Sequence, residues 1–526
     1  MNFKNKHITH LQTILSIKQI VILFFGLVMV FACGKEKLAV LEVPIVIPDE
    51  DSVENIDSYP GVPFSDIYEV IVTTSRGKEK LTVFKNSCPE YELGKMNMAE
   101  NDQYPLAIFA GRSINWSAFS FSGTASVEVR VINKNKVPVS GRIRILPSRH
   151  GVSPIVEGNS IFFTVNNPGQ FSVEIGENGY KNGLIIFADP TETDIPDQGS
   201  SQYSVLKNAS QTDINSVSAS YSGIYFKAGV HDIGVYHVPA NIKNIYFEKG
   251  SWVYGSLIMD GNPGVKIFGR GVLSSGRLDY RESHCIEAIN QSDNVQIDGI
   301  VVADPKYFAV RLIGKNNTVK WTKVIGGWVY NCDGIAAYAG STVSNCFIWA
   351  NDDAIKVYRD NITWSDCVVW QLNNGGVIQM AWGGSNATNV KLSRIDVLRA
   401  EWNKPGFNRA LLNCVGNQYE IAGKSGLQKD WLIEDVVTEN PIPVVFKITP
   451  NSFSSNHIYN LTLKNWKVSM TMETQFQNEI IGNDPSEYFD GFVFDNFIFN
   501  GVKLTQQNWL KITNLIVENL TEPDFK

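Results

Sequence analysis

Aspartates recur at one position of a short motif that is repeated in the middle of the chain. The motif reads Asn-Cys-Asp-Gly-Ile at 331–335, Asn-Asp-Asp-Ala-Ile at 351–355 and Asn-Gly-Gly-Val-Ile at 374–378. Spacings of 20 and 23 residues predict successive coils of a solenoid, stacked one above the other. We therefore expect Asp333 to lie about 4.8 Å beneath Asp353, with Asp352 adjacent in the chain.

Three carboxylates in one small patch, with Lys356 as the nearest cation in sequence, have the groups that a glycosidase needs. Like charges raise at least one pKa, which keeps a carboxylic acid protonated near neutral pH. One such group protonates the leaving oxygen, while a second activates water or attacks directly. Asp352 is our first candidate for the acid, and Asp333 and Asp353 are candidates for the base. The alternatives are turn aspartates that cap the backbone and a calcium site, which has few additional oxygens here.

Side chains suited to binding sugar surround the three aspartates. Five of the 12 tryptophans lie between 328 and 382, and flat rings match the C–H faces of sugars. Three polar side chains can hydrogen-bond sugar hydroxyls: Asn331, Lys356 and Gln379. Trp349 and Trp370 occupy corresponding repeat positions, so at least one of them is expected to pack in the core. Trp382, beside two glycines, is the better surface candidate.

Composition indicates a globular protein that handles a neutral ligand. The 526 residues are 44% hydrophobic and 19% charged, and their length predicts two domains. Net charge is −7, and removing the first 32 residues leaves 43 basic against 53 acidic residues. Without a basic cluster, nucleic acid and polyanionic glycans are poor ligands, and a neutral polysaccharide is the expected partner. None of the seven cysteines forms a zinc spacing, so we predict no metal and no cofactor.

The N-terminus has the features of an export signal. Residues 1–33 carry Lys4, Lys6 and Lys18 and no acid, and they contain a 13-residue apolar core, too short for a comfortable membrane span. The junction Ala32-Cys33-Gly34 resembles a bacterial lipobox, which implies lipidation of Cys33; an ordinary signal peptide is the alternative. Residues 34–62 are proline-rich and acidic, which predicts an extended tether. We expect an exported lipoprotein of the periplasm, outer membrane or cell surface.

Two strand patterns divide the rest of the chain. Residues 63–215 contain short alternating segments with turns between them, which predict an antiparallel β-sandwich. Residues 216–526 repeat Asn/Gly-Val-x-Ile segments every 20–30 residues, which predicts a right-handed parallel β-helix that carries the catalytic residues. A β-propeller is the alternative, but its blades are longer. The expected fold class is thus all-β, with a sandwich followed by a β-helix.

The motifs at 331–335, 351–358 and 370–382 together resemble glycoside hydrolase family 49, the dextranases and isopullulanases. The resemblance implies a β-sandwich before a right-handed β-helix, and an inverting mechanism with the general acid at Asp352. The family's other two active-site aspartates fall on Asp333 and Asp353. Tyr358 and Trp370 lie within the same motifs and join the substrate-binding candidates. Cys332 and Ala354 depart from the family pattern beside the catalytic positions.

Two other functions remain as alternatives to an enzyme acting on a dextran-like α-1,6-glucan. Polygalacturonases of family 28 have a similar aspartate trio, but they carry Gly-His-Gly one coil further on. This chain has Asn374-Gly375-Gly376 there and no histidine in residues 285–456. The second alternative is a non-catalytic surface protein that binds glycans through its β-helix. Such a protein would not require three clustered carboxylates.

Overall fold

The computed structural model describes residues 61–89, 106–382, 385–415, 425–449, 455–482 and 489–526. Within these ranges the protein consists of a β-sandwich followed by a right-handed parallel β-helix, which confirms the predicted fold class. The export signal, Cys33 and all but the last two residues of the tether lie outside the described residues. No helix in the described ranges is long and apolar enough to cross a membrane.

The sandwich is built from ten strands in two five-stranded sheets. The strands are β1 (Tyr68–Thr74), β2 (Gly77–Leu81), β3 (Phe84–Ser87), β4 (Ser113–Phe121), β5 (Ala125–Val131), β6 (Ile143–Leu146), β7 (Ile155–Glu157), β8 (Ser160–Val165), β9 (Gly169–Ile175) and β10 (Asn182–Pro190). The sheet orders are β2-β1-β5-β8-β7 and β3-β4-β10-β9-β6. One pairing departs from the antiparallel expectation, because β10 runs parallel to β4. The connection between them crosses to the other sheet, which a purely local strand pattern does not reveal.

The outer surface of the second sheet explains why two of its strands lack alternation. Strand β5 alternates between buried and more accessible residues, as a sheet with one solvent face should. Every residue of β9 is buried, and so is nearly all of β10. Both sides of this sheet are covered, one by the sandwich core and the other by the β-helix. Continuous apolar strands are the pattern expected for a sheet buried on both faces.

The β-helix has three sheets, which we call the first, second and third faces. The first face contains β11 (Tyr203–Leu206), β12 (Gly223–Phe226), β14 (Asn244–Phe247), β16 (Lys266–Gly269), β19 (Gln296–Asp298), β22 (Thr318–Lys320), β25 (Thr342–Ser344), β34 (Ser455–Lys464), β37 (Val493–Asp495) and β41 (Asp524–Phe525). The second face contains β17 (Val272–Ser274), β20 (Val301–Ala303), β23 (Lys323–Ile325), β26 (Phe347–Ala350), β35 (Lys467–Val468) and β38 (Ile498–Phe499). The third face contains β18 (Ile286–Ile289), β21 (Val310–Leu312), β24 (Ile335–Ala337), β27 (Ile355–Lys356), β29 (Ile378–Trp382), β31 (Leu412–Val415), β33 (Phe446–Thr449), β36 (Asn478–Ile481) and β40 (Leu515–Glu518).

Five long strands bend from one face into the next. Two join the second and third faces, β13 (Gly229–His237) and β15 (Ser251–Asp260). Three join the first and second faces, β28 (Thr363–Gln371), β30 (Ala387–Ala400) and β32 (Ser425–Thr438). A short antiparallel strand, β39 (Val502–Lys503), and two five-residue helices complete the domain: α1 (Gln211–Asn215) and α2 (Trp509–Thr513). The first strand of the β-helix starts at Tyr203, before residue 216, where the change of sequence pattern was expected.

Asparagines at the corners of the coils account for the repeat that is visible in the sequence. Asn294, Asn361 and Asn389 each have φ between 56° and 59°, in the left-handed region. Asparagine tolerates this conformation better than other residues with a Cβ. After each corner the side chains alternate, so Ile297 and Val319 stack at equivalent inward positions. In each repeat of the sequence, the asparagine therefore marks a corner of the coil and the aliphatic residue marks an interior position.

The second face of the helix packs against the sandwich and joins the two domains. Their shared core combines sandwich residues such as Trp116 and Phe187 with Trp252 and Trp349 of the helix. A fully buried ion pair crosses this boundary, with Lys323 Nζ 2.6 Å from Asp189 Oδ2. The third face lies on the other side of the corner that carries the predicted carboxylates. The six cysteines in the described ranges are buried free thiols, with no disulfide among them.

Candidate active site

The three predicted carboxylates meet at the corner between the second and third faces. Asp352 and Asp353 follow β26 and precede β27, and Asp333 has the same place one coil below. Coil stacking is direct here, because Gly334 N donates to Asp353 O at 3.0 Å and Ile335 pairs with Ile355. One oxygen from each of the three carboxylates lies within 4.8 Å of the others. The structure thus brings the three aspartates together as their spacing predicts.

Lys356 lies between two of the aspartates. Its ammonium forms an ion pair with Asp333 Oδ2 and approaches Asp353 Oδ2 at 3.3 Å. The second oxygen of Asp353 accepts from Gly376 N at 3.0 Å. Burial favours the neutral amine, but the attraction of the carboxylates is greater and raises the pKa of Lys356 well above its ordinary value. Lys356 therefore remains charged and offsets the charge of the carboxylates it contacts.

Asp352 is held by neutral donors. Its Oδ2 accepts from Asn374 Nδ2 at 2.6 Å and from Asn331 Nδ2 at 3.2 Å. Its Oδ1 accepts from Asp353 N at 2.9 Å. Burial and the neighbouring Asp353 carboxylate raise the pKa of Asp352 to about 7, although Lys356 opposes them. A large fraction of Asp352 is consequently protonated near neutral pH, as a general acid requires.

The carboxylate cluster fits acid–base chemistry better than it fits a metal ion. Calcium prefers six to eight oxygen ligands, and magnesium prefers an octahedron. The Lys356 ammonium already supplies positive charge between Asp333 and Asp353. On Asp352, the amides of Asn331 and Asn374 present NH₂ groups, which cannot ligate a cation. A bound cation would have to displace these groups.

Four of the predicted substrate-binding residues lie at or beside the cluster. Asn331 contacts Asp352 directly. Lys356 and Gln379 are register partners on the third face. Tyr358 is buried, and its ring centroid is 5.4 Å from Lys356 Nζ. Trp382 ends strand β29, and its side chain lies outside the described residues.

Trp370 is placed elsewhere, so its prediction as a sugar-binding residue is corrected. Its side chain is completely buried on the second face, within the core shared with the sandwich. Its ring lies 4.5 Å from that of Trp349, and its Nε1 donates to Glu401 Oε1 at 2.7 Å. A ring enclosed by two domains cannot offer a face to a sugar. The motif around Trp370 therefore combines a packing residue with neighbours of the carboxylate cluster.

Several residues of the site were not identified from sequence. Gln371 donates to Asp352 O at 2.9 Å and braces the corner, and Asn374 donates to Asp352 Oδ2. Asn374 begins the third repeat of the motif and Gln371 closely precedes it, so their position beside the repeat was an available signal. Phe308, whose ring centroid is 4.3 Å from Lys356 Nζ, comes from an earlier coil with no such signal.

His284 is a further neighbour that the sequence did not indicate. It stacks on Tyr307 with centroids 4.2 Å apart, and burial together with Arg311 and Lys356 lowers its pKa to about 3. A neutral imidazole there adds no charge to the site at neutral pH. The histidine that family 28 places one coil beyond the aspartates has no counterpart in His284, which precedes them in the chain.

Comparisons with known proteins agree with the architecture. Residues 60–183 match the glycosyl hydrolase family 49 N-terminal Ig-like domain. A dextranase from Arthrobacter globiformis is 25% identical over 479 residues, covering 76% of this chain and 74% of that protein. An isopullulanase from Aspergillus niger is 24% identical over 396 residues, covering 67% and 68%.

A solved structure shows the same fold along most of the chain. Dex49A from Penicillium minioluteum superposes with a TM-score of 0.74 at 17% identity, covering 88% of this chain and 95% of that one. The match includes both the sandwich and the β-helix, because neither domain alone accounts for that coverage. This fold, the matching N-terminal domain and the similarity to dextranase and isopullulanase support glycoside hydrolase family 49, and the chain is a glycoside hydrolase.

Proposed function

We propose that this enzyme hydrolyses a neutral α-glucan of the dextran type, linked α-1,6, with inversion of anomeric configuration. The observation that carries the proposal is the difference between neighbouring carboxylates. Asp352 is lined by amide donors and has a pKa of about 7, while Asp333 and Asp353 are paired with Lys356. Burial raises the pKa of Asp333 well above its ordinary value, and the Lys356 ammonium opposes this shift. The difference therefore lies in the surroundings, with neutral donors on Asp352 and a cation against Asp333. A carboxyl group that can donate a proton and a second one that can hold water are what acid-assisted attack by water needs.

In this mechanism Asp352 donates its proton to the glycosidic oxygen as the bond breaks. The base should be the aspartate with a carboxylate oxygen that is still free to accept a hydrogen bond from water. Asp353 uses one oxygen for Gly376 N and the other for Lys356. Asp333 Oδ1 is buried and has no hydrogen-bond partner among the described residues, while its Oδ2 faces Lys356. We therefore assign Asp333 to the water and Asp353 to the orientation of Lys356.

This assignment predicts different responses to two matched substitutions. Asp333→Asn should reduce kcat by about 10²–10⁴-fold, because the water loses its base. External azide should restore turnover in this variant by attacking in place of the activated water, giving a glycosyl azide of the opposite anomeric configuration. Asp353→Asn should reduce kcat without azide rescue. Azide rescue of Asp353→Asn alone would exchange the two assignments.

The substrate class follows from charge and from the relatives. The sequence is acidic overall, and the one cation described among the aspartates is neutralised by them, so uronates would gain little. Dextranase and isopullulanase are the names of the similar proteins, and both denote enzymes of neutral glucans. This supports a dextran-like glucan over polygalacturonate, and hydrolysis over glycan binding alone.

The test is a screen of the protein from residue 40 onward against dextran, pullulan and polygalacturonate, with sizing of the products. We expect reducing sugar from dextran. Proton NMR of fresh product should show the β-anomer first, because inversion at an α-linkage yields it. The α-anomer appearing first would exclude inversion. Release from polygalacturonate alone would favour the family 28 alternative, and binding without release would favour a non-catalytic protein.

The proposal includes export and anchoring. Residues 1–33 have the composition of a signal peptide, and Ala32-Cys33-Gly34 supports lipidation of Cys33 and a position facing the periplasm or the cell exterior. Cys33→Ser should release the protein from membranes or leave the precursor uncleaved. A variant that is processed and fractionates like the wild type would contradict lipidation.

A further inference from the structure

Arg281 lies at the edge of the active site in an uncommon backbone conformation. It belongs to the segment between β17 and β18, and its φ of 60° is in the left-handed region. Residues with long side chains rarely adopt this conformation, and such strain often marks a functional position. The backbone N–H of Arg281 donates to Lys306 O at 3.0 Å, which holds the turn in place.

Three tyrosine rings surround the Arg281 guanidinium. Its carbon is 5.1 Å from the centroid of Tyr280, 5.7 Å from that of Tyr330 and 5.9 Å from that of Tyr307. Each ring face attracts the cation, and together they limit where the side chain can point. Arg281 is exposed as a residue, yet its charged end is directed inward, towards the amide of Asn331.

Asn331 connects Arg281 to the acid. Its Oδ1 accepts a hydrogen bond from Arg281 Nη2 and a longer one, at 3.4 Å, from the hydroxyl of Tyr280. Its Nδ2 donates to Asp352 Oδ2 at 3.2 Å. A guanidinium has only donors, so it accepts no bond from an amide NH₂. Rotating the amide by 180° would place NH₂ against the guanidinium and a carbonyl oxygen against the carboxylate, and both contacts are repulsive.

We propose that Arg281 is a positioning residue that acts through Asn331 to hold the general acid Asp352 in its donating orientation. This inference rests on the proposed function of Asp352. The amide of Asn331 fixes Oδ2 from one side while Asn374 fixes it from the other. Two donors that converge on one oxygen leave the carboxyl group little freedom to rotate.

These contacts determine in which direction the pKa of Asp352 should move when Arg281 is replaced. The titratable and charged groups around Asp352 are Asp333, Asp353 and Lys356 in the cluster, and Arg281, Tyr280, His284, Lys306, Cys332 and Tyr358 around it. A donor to the carboxylate lowers its pKa. When Asn331 is no longer held, this donor is lost, and the pKa of Asp352 rises. The alkaline limb of the activity profile should then move to higher pH.

The experiment compares Arg281→Met, Arg281→Lys and the control Arg277→Met. Arg277 lies on the same segment but pairs with Asp232 at 2.6 Å and stacks on Tyr254, away from the aspartates. For Arg281→Met we expect kcat on dextran to fall about 10-fold with KM unchanged, and the alkaline limb to rise by about 0.5–1 pH unit. Arg281→Lys should show both effects to a smaller extent, because lysine keeps a charged donor, and Arg277→Met should show neither.

Two further measurements separate positioning from substrate binding. Hydrolysis of 4-nitrophenyl α-isomaltoside should change less than about 2-fold in Arg281→Met, because nitrophenolate leaves without a proton. In an Asn331→Ala background, Arg281→Met should have no further effect on the pH limb, because the connection is already removed. Thermal unfolding checks that each variant is folded.

The outcomes distinguish the inference from the function on which it rests. A raised KM with an unmoved alkaline limb would show that Arg281 binds sugar and would overturn the positioning role. An effect of equal size in the Asn331→Ala background would overturn the connection through Asn331. If the pH profile of the wild-type enzyme has no alkaline limb and the Asp352→Asn variant remains active, the assignment of Asp352 as the acid is wrong.

Discussion

The second and third faces of the β-helix are made by the same coils, yet their outward surfaces have opposite chemistry. Apart from Lys323, which pairs with Asp189, the second face presents large apolar residues to the sandwich, among them Trp252, Trp349, Trp370 and Leu398. On the third face one outward row runs from coil to coil through polar residues: Lys356, Gln379, Asn413, Lys447 and Glu479. The corner between these two surfaces holds the three aspartates. One surface thus fixes the scaffold, and the other is available for chemistry.

Packing on the second face accounts for most of the tryptophans that cluster around the aspartate motifs. Trp328, Trp349 and Trp370 belong to the core shared with the sandwich, and Trp364 faces the interior of the helix. Their abundance between 328 and 382 therefore reports how tightly the catalytic coils are packed. A corner that must hold several carboxylates close together gains rigidity from such packing.

Asp352→Asn tests whether the corner beside the third face carries the chemistry, and it has the largest expected effect. The variant keeps its shape but cannot donate a proton, so kcat on dextran should fall by about 10²–10⁴-fold. Thermal unfolding should change little, because one corner residue is a small part of a long solenoid. Asp360→Asn, the same change at a corner where the aspartate bonds Thr388, is the control and should leave kcat unchanged. Near-normal activity of Asp352→Asn would refute the assignment.

Trp370→Ala tests the second-face side. Removing a fully buried indole from the domain boundary should lower the free energy of unfolding by about 3–5 kcal/mol. Urea denaturation measures this loss, while KM for dextran in the folded variant should stay the same. A raised KM with unchanged stability would restore the sugar-binding interpretation of Trp370.

Lys323→Met probes the boundary through its buried ion pair. Leaving Asp189 buried with its closest cation removed should cost about 3–5 kcal/mol of unfolding free energy. Lys249→Met, which removes an exposed ion pair with Glu79 across the same two domains, should cost less than about 1 kcal/mol. Chemical denaturation of both variants provides the comparison. Equal losses would mean that burial does not determine the strength of this boundary.

The pH profile has the smallest expected effect, and its alkaline limb reports Asp352. The group acts in its protonated form and its pKa is about 7, so kcat should fall up to tenfold per unit above this pH. A second fall at acid pH is expected where the base Asp333 takes up a proton. Because this pKa lies above that of the unfolded chain, the contribution of Asp352 to stability is lost as pH rises from about 4 to about 7. A rate profile that is flat to pH 9 would contradict the assigned acid.

Much of this molecule could be predicted from local patterns. The spacing of Asn-Cys-Asp-Gly-Ile and Asn-Asp-Asp-Ala-Ile placed three carboxylates in adjacent coils, because stacked coils repeat a corner at a fixed interval. Alternating segments predicted the sandwich, although the start of the helix at Tyr203 fell earlier than the pattern suggested. The resemblance of the motifs to family 49 agrees with the matching N-terminal domain.

The sequence by itself therefore determined the repeat, the fold class and which carboxylates meet. Tertiary structure alone decided which outward surface each side chain occupies. Trp370 and Gln379 lie in neighbouring strands of one motif, but one faces the sandwich and the other lies beside Lys356 on the third face. Arg281 reaches Asn331, which contacts Asp352, from two coils before Asn331. Such contacts depend on how faces pack and how distant segments meet, and the spacing of residues along the chain carries no record of either.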